Sequence, residues 1–321
     1  MAVLIIGAGL VGSQIARILV EEGERPVILD LAPQPEALAD IVDPARLTLR
    51  RGDILNPLDI VRVLRQDAIT RVIHTAANPL LTLGAQQDPY GAIQVNIMGT
   101  VNVLEAARLH GLERVVVTSS SVLAYYLTGG EDNGDAHREE AFPRPATFYS
   151  ATKQAVESLA LNYARWCSLD VLAVRFGAVA GPWRGRGGGG PSNIFRNIVE
   201  RSLRGEEATV PSSTMDWVYS KDAAAGAVLA LRAQGTADRV FNISMGTVAG
   251  PKDIIAAVQA MIPGARIRVE TQQATALSVK QMDRPIDLTR ARKQLGYTPK
   301  FDLRSAVADY VDWYRTRRDM P

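Results

Sequence analysis

Short runs of continuous apolar residues alternate with longer stretches of helical period through roughly the first 180 residues of the chain. The runs are Val3–Ile6, Pro26–Leu29, Leu47–Arg50, Val72–His74, Val115–Thr118 and Val171–Val174. Between them, Gly12–Glu22, Pro57–Gln66, Tyr90–His110 and Tyr149–Trp166 place apolar residues at the spacing that lines one helix face. A strand that is apolar on both faces has to be covered on both. Strands of this kind separated by helices therefore predict a parallel sheet between two helical layers. That is the doubly wound α/β (Rossmann) architecture, whose ligand crevice lies beyond the carboxyl ends of the strands.

The texture changes after about residue 180. Gly185–Gly190 reads GRGGGG and is followed by Pro191, which excludes a regular element there. Shorter elements follow: helices near Ser192–Arg204 and Lys221–Ala233, a strand at Val240–Ser244, and helices at Pro251–Met261 and Leu303–Arg318. The expected organisation is a dinucleotide-binding domain carrying the catalytic residues over 1–180. Residues 181–321 form mainly a smaller substrate lobe, some of whose segments return to the core sheet. The glycine segment is expected to act as a lid that orders over substrate.

Composition narrows the class. Hydrophobic residues at 47% and charged residues at 22% describe a globular chain, not a disordered one. A net charge of +2, with no dominant Lys/Arg cluster, argues against nucleic acid as a partner. The densest basic group, Arg315, Arg317 and Arg318, suits the end of a C-terminal helix. The single cysteine, Cys167, excludes a disulfide framework and reads as an inert structural thiol after an apolar stretch. His74, His110 and His137 lack ligand spacing, so no metal is expected. The opening MAVLIIGAG has no cationic flank and is too short to span a bilayer, which fits a cytoplasmic enzyme without a membrane partner.

Gly7, Gly9 and Gly12 form G-x-G-x-x-G directly after the first strand. The first glycine permits the tight turn, the second lets backbone approach a pyrophosphate, and the third permits close helix–strand packing. Asp30 follows Gly12 by 18 residues, at the end of the second strand. There a carboxylate accepts both ribose hydroxyls and repels a 2′-phosphate, so NAD is expected over NADP. Asp53 follows the third strand, where it either meets the adenine amino group or caps the next helix.

Tyr149 and Lys153 lie four apart on a predicted helix, on one face and one turn from each other. A phenol titrating near 10 is a poor base at neutral pH. A neighbouring ammonium and an oxidised nicotinamide favour the phenolate and bring it toward the working range. Lys153 can also hold the nicotinamide ribose. Thr118 to Ser121 end the strand beside this helix. Their hydroxyls either project into the crevice or cap the next segment.

With these pieces in place the chain resembles the extended short-chain dehydrogenase/reductases of the NAD-dependent epimerase/dehydratase type. The shared blocks run in order: GAGLVGS, His74–Ala77, Asn96–Arg108, TSSS, YSATK, Arg175–Pro182, Trp217–Ala224, Phe241–Ser244, Arg284–Asp287 and Leu295–Phe301. The resemblance implies that Ser121 is the catalytic hydroxyl, Tyr149 the general acid/base, and Lys153 its pKa-lowering, ribose-binding partner. It implies Gly7, Gly9, Gly12, Asp30, Asp53, Ile54, Ala76 and Asn96 as cofactor neighbours. It also suggests a homodimer formed through the helices at 90–110 and 149–166.

Departures from the family pattern bear on the substrate. Dehydratases carry an Asp-Glu pair after the catalytic hydroxyl; here Val122 and Leu123 follow Ser121, which disfavours dehydration. Nucleotide-sugar enzymes place an asparagine where this chain has Ala178, and a diphosphate-gripping arginine where it has Met215. Arg284 either binds an anion or pairs with Asp287. Trp183 and Trp217 are either apolar walls for a sugar face or ordinary lobe packing, and Arg184 or Arg186 on the glycine segment is placed to meet a carboxylate. The leading expectation is hydride transfer between NAD and a secondary alcohol of a small sugar, sugar acid or polyol. The alternatives are a nucleotide-sugar 4-epimerase with a transient ketone and an NAD-binding protein without catalysis.

Overall fold

The computed structural model describes residues 2–78, 88–125, 139, 145, 147–270 and 282–318; His137 lies outside these residues. In chain order the first part holds β1 (Ala2–Ile6), α1 (Leu10–Glu21), β2 (Val27–Asp30), α2 (Pro35–Ala39), β3 (Thr48–Arg51), α3 (Pro57–Gln66) and β4 (Ile69–His74). Next come α4 (Pro89–Ile93), a π-helical turn (Gln94–Met98), α5 (Gly99–Leu109), β5 (Arg114–Ser120), α6 (Val122–Tyr125), α7 (Phe148–Trp166) and β6 (Val171–Phe176). The remainder is β7 (Ala178–Ala180), α8 (Gly190–Leu203), β8 (Ala208–Pro211), β9 (Met215–Tyr219), α9 (Ser220–Arg232), β10 (Val240–Ile243), β11 (Val248–Ala249), α10 (Pro251–Met261), β12 (Ile267–Glu270), α11 (Thr289–Leu295) and α12 (Leu303–Arg318).

Seven parallel strands form one sheet in the order β10-β6-β5-β4-β1-β2-β3. Strand order reverses between β1 and β4, which opens the crevice at their carboxyl ends. The apolar runs fill two layers. On one face Ile5, Ile28, Ile73, Val116 and Leu172 pack with residues of α1 and α9; on the other Leu4, Leu29, Val72, Val115 and Val171 pack with α3, α5 and α7. Each such residue contributes about 1.5–3 kcal/mol on full burial. Both β10 and α9 belong to this sheet and its cover although they lie beyond residue 180.

The second layered unit is small. β11-β9-β7 and β12-β8 make two short sheets, packed with α8, α10 and α12 around Phe195, Trp217, Tyr219 and Tyr310. None of the five is read from the sequence, and β7 and β11, of three and two residues, are too short to announce themselves by periodicity. Cys167 is exposed at the C-terminal cap of α7, so the structural thiol suggested by its apolar neighbourhood is not what the fold makes of it. No helix among the described residues is long and apolar enough to cross a membrane.

Candidate active site

One cavity of about 1120 Å³ runs along the carboxyl ends of the strands and into the small lobe. Its cofactor end is lined by Gly7, Gly9, Gly12, Asp30, Asp53, Ile54 and Ala76. The three glycines do different work. A Cβ on Gly7, whose φ is +102°, would lie 2.8 Å from the Ala76 nitrogen, and one on Gly12 would lie 1.9 Å from the Gly7 oxygen. A Cβ on Gly9, which lines the cavity, would meet nothing within 4 Å. Gly9 also begins α1 without a side-chain cap, and no acid stands in its first turn. The first N–H groups are left to an anion.

Asp30 takes backbone N–H groups from Ala8 and Ala32, each at 2.8 Å, which holds its carboxylate at the crevice edge. Asp53 does not cap α3. That cap is Asn56, which accepts from the Leu58 nitrogen, while Asp53 accepts from the Leu55 nitrogen and lines the cavity. Asn96 stands behind the wall instead of in it. Buried in the π-helical turn, it accepts from the Asn78 nitrogen at 2.8 Å and donates to Thr152 Oγ1 at 3.2 Å. It thereby ties the loop after β4 to α7. This glycine turn, open helix end and strand-end carboxylate fit a dinucleotide.

Ser121, Tyr149 and Lys153 line the same cavity. Thr147 and Ser150 form a reciprocal capping box that starts α7 and fixes Tyr149 in its first turn. Lys153 is buried; its Nζ lies 5.9 Å from the centroid of the Tyr149 ring and donates to the Thr118 carbonyl oxygen at 2.8 Å. Burial pushes the Lys153 ammonium down to about 8, so at neutral pH it still holds its proton. Ser121 is buried and donates its backbone N–H to the Phe176 oxygen. Its neighbour Ser120 accepts from the Val122 nitrogen at 3.3 Å, so the serine cluster both caps and lines.

Behind these groups lies an arrangement the motifs did not reveal. Glu157, one turn past Lys153, receives two hydrogen bonds from Arg175 on β6 (2.8 and 2.6 Å) and one from Ser119 on β5 (2.8 Å). All three are buried, and together they pin α7 to both strands. The available signal was a lone arginine inside the apolar run VLAVRF.

The substrate-end residues are divided. Arg186 lines the cavity; Arg184 is spent on buried Asp40, with hydrogen bonds of 2.5 and 2.8 Å. Trp183 packs with Leu10 and Ala37 and donates to the Arg186 oxygen, while Trp217 sits in the core of the lobe; each is 2% exposed and neither lines the cavity. Arg284 also lies outside the wall and pairs with Asp283 at 3.7 Å. The glycine segment takes positive φ at Gly187 and Gly188, and Gly190 already opens α8. Met215, Thr214, Ser213, Pro211, Ile194 and Glu270 complete this end. Among the described residues no group of three His, Cys, Asp or Glu is placed to hold a metal ion.

A profile of the NAD dependent epimerase/dehydratase family matches residues 3–244. A dTDP-glucose 4,6-dehydratase of Streptomyces griseus is 27% identical over 97% of this chain and 93% of its own length. The crystal structure of Thermus thermophilus UDP-glucose 4-epimerase in complex with NAD superposes with a TM-score of 0.84 at 26% identity, covering 98% of this chain and 99% of that one. A GalE-like L-threonine dehydrogenase from Cupriavidus necator, in its holo form, superposes at 0.81 with 26% identity over 97% and 99%. The glycine turn, the Tyr149–Lys153 helix and the order of the sheet converge on one family: this chain belongs to the NAD dependent epimerase/dehydratase family and is an NAD-dependent enzyme of the extended short-chain dehydrogenase/reductase type.

Proposed function

We propose that the enzyme exchanges hydride between NAD and a secondary alcohol of a small sugar, sugar acid or polyol, with Tyr149 as general acid/base. The observation that carries this reading is the shared wall of Ser121, Tyr149 and Lys153, with the Lys153 Nζ 5.9 Å from the Tyr149 ring centroid. Bound NAD supplies the hydride acceptor or donor. Tyr149 Oη takes the hydroxyl proton as the alcohol becomes a carbonyl and returns it in the reverse direction. Ser121 Oγ donates to the same substrate oxygen and orients it. Lys153 keeps a positive charge beside the phenol, which favours the phenolate, and holds the nicotinamide ribose.

Val122 lines the cavity beside Ser121 and Leu123 is buried. Neither side chain can move a proton, so these two positions supply no acid/base pair for the elimination that names the dTDP-glucose relative. Arg186 supports a substrate bearing a carboxylate: it is the cation on the substrate side of the wall, and its guanidinium has no partner among the described residues. Met215 in place of a diphosphate-gripping arginine supports a substrate without a nucleotide. The threonine dehydrogenase relative is named for a small secondary alcohol, which agrees with this choice.

A second reading, 4-epimerisation of a nucleotide sugar, is favoured by the Thermus relative's name and by the cavity's volume of about 1120 Å³. It uses the same three residues but requires the ketone to turn over before reduction. We further propose a homodimer through α4–α5 and α7. Tyr90, Ile93, Met98, Phe148 and Trp166 are 73, 39, 44, 47 and 72% exposed on those elements.

The test is a panel of aldoses, uronates, aldonates and nucleotide sugars, scored for NADH absorbance and for isomerised product. Tyr149→Phe should retain NAD and lose about 10²–10⁴-fold in turnover. Near-wild-type turnover in that variant refutes the acid/base assignment, and isomerised product without NADH accumulation selects the epimerase.

A further inference from the structure

His74 ends β4, in register with Val117 of β5, one residue before the Thr118 carbonyl that anchors Lys153. The ring is 3% exposed, on the sheet face covered by α5 and α7. Its hydrogen bonds fix its tautomer. Thr100 Oγ1 donates its single proton to the Asn96 oxygen at 2.7 Å, so at 3.0 Å from His74 Nε2 it can only accept. Nε2 therefore carries the hydrogen, and Nδ1 is a bare lone pair. That atom is buried without a partner among the described residues.

A buried acceptor of this kind calls for a donor. Burial together with the Lys153 charge holds the ring neutral, lowering His74 to about 3, so it remains an acceptor across the working range. Lys153 has three N–H bonds: one goes to Thr118, and on the reading above another serves the ribose. We propose that His74 is a positioning residue for Lys153: one water accepts from the third N–H and donates to Nδ1, which keeps the ammonium charged and aimed at Tyr149. The histidine does not touch the substrate.

Other groups facing this region are accounted for. Glu157 is locked to Arg175, Glu105 pairs with Arg108 near the far end of α7, and Tyr90 on α4 is exposed. With these spent, the open acceptor on the neighbouring strand β4, His74 Nδ1, is left to answer the lysine.

The inference rests on Tyr149 and Lys153 acting as proposed, and its test needs no substrate. In the NAD-loaded protein, the tyrosinate absorbance of Tyr149 is titrated as the difference from Tyr149→Phe. Two substitutions separate the ring nitrogens. His74→Asn puts an amide oxygen near the Nδ1 position and gives up the Thr100 bond; His74→Gln keeps a donor near Nε2 and gives up the Nδ1 acceptor. The expected result is a Tyr149 midpoint unchanged in H74N and raised by about half a pH unit or more in H74Q, a roughly threefold loss of phenolate at fixed pH.

Equal midpoints in all three proteins, or a shift confined to H74N, overturn the proposal. A wild-type Tyr149 that titrates in the ordinary phenol range instead refutes the acid/base reading itself. Should H74Q fail to fold, ¹⁵N-histidine spectra of wild type and Lys153→Met decide the matter. The His74 Nδ1 resonance must move when the ammonium is removed, and an unmoved resonance overturns the proposal.

Discussion

The cofactor end of the cavity is shaped by the glycines of a single turn, and the substrate end by residues brought from distant segments. Gly7, Gly9 and Gly12 shape the first by what they lack, within one turn between β1 and α1. The second takes Phe176 from β6, Arg186 from the glycine segment, Ile194 from α8, Met215 from β9 and Glu270 from β12. A glycine turn tolerates little variation, because a misplaced Cβ collides with atoms that cannot move. A side-chain wall can change its ligand by changing one residue. The difference explains how a family with one cofactor carries relatives named for epimerisation, dehydration and amino-acid oxidation.

The largest test of this contrast is the anchor behind the catalytic helix. Glu157→Gln takes the carboxylate counter-charge from buried Arg175, which keeps its hydrogen bond to the Glu139 oxygen, and should cost about 3–5 kcal/mol of stability. In the lobe, Glu206→Gln removes a solvent-screened partner of Arg204 and should leave stability near wild type. Urea unfolding of both variants checks the pair, and equal losses would show that the two regions are held alike.

Smaller, and aimed at the glycine turn, is a comparison within one motif. Gly12→Ala forces a Cβ into the Gly7 oxygen and should lower stability by about 3 kcal/mol with loss of NAD binding. Gly9→Ala meets no protein atom, so it should melt near wild type and weaken NAD alone. Thermal melts with and without NAD separate the two; a destabilised Gly9→Ala apoprotein would contradict the expectation that its space is the ligand's.

The smallest expected effect belongs to the side-chain wall. Met215→Arg restores a cation to the cavity and should tighten UDP binding about tenfold, the worth of one charge-assisted hydrogen bond, without altering NAD affinity. Calorimetry with UDP reads it directly. No gain would mean that Met215 does not set the boundary between free and nucleotide-linked substrates.

The sequence made some parts legible and hid others for identifiable reasons. Val3–Ile6, Val115–Thr118 and the other apolar runs are strands because only a strand covered on both faces is apolar throughout its length, and each appears in the sheet within a few residues. The helix expected at Tyr90–His110 runs from Pro89 to Leu109 but includes a π-helical turn around Asn96, which periodicity could not register. Strands such as Ala178–Ala180 and Val248–Ala249 are too short to show any alternation.

Local chemistry was therefore determined by sequence alone: the glycine turn, the strand-end carboxylate of Asp30, and a phenol and an ammonium one helical turn apart. These depend on neighbours within a few residues, and such geometry is set by backbone sterics and helical pitch. Only the tertiary structure decided which arginine faces the cavity, that Trp183 and Trp217 pack instead of lining it, and that His74 lies with an open lone pair beside the lysine's anchor. Those outcomes depend on contacts between residues tens to hundreds of positions apart, as when Asp40 claims Arg184, and no local pattern encodes which partner wins.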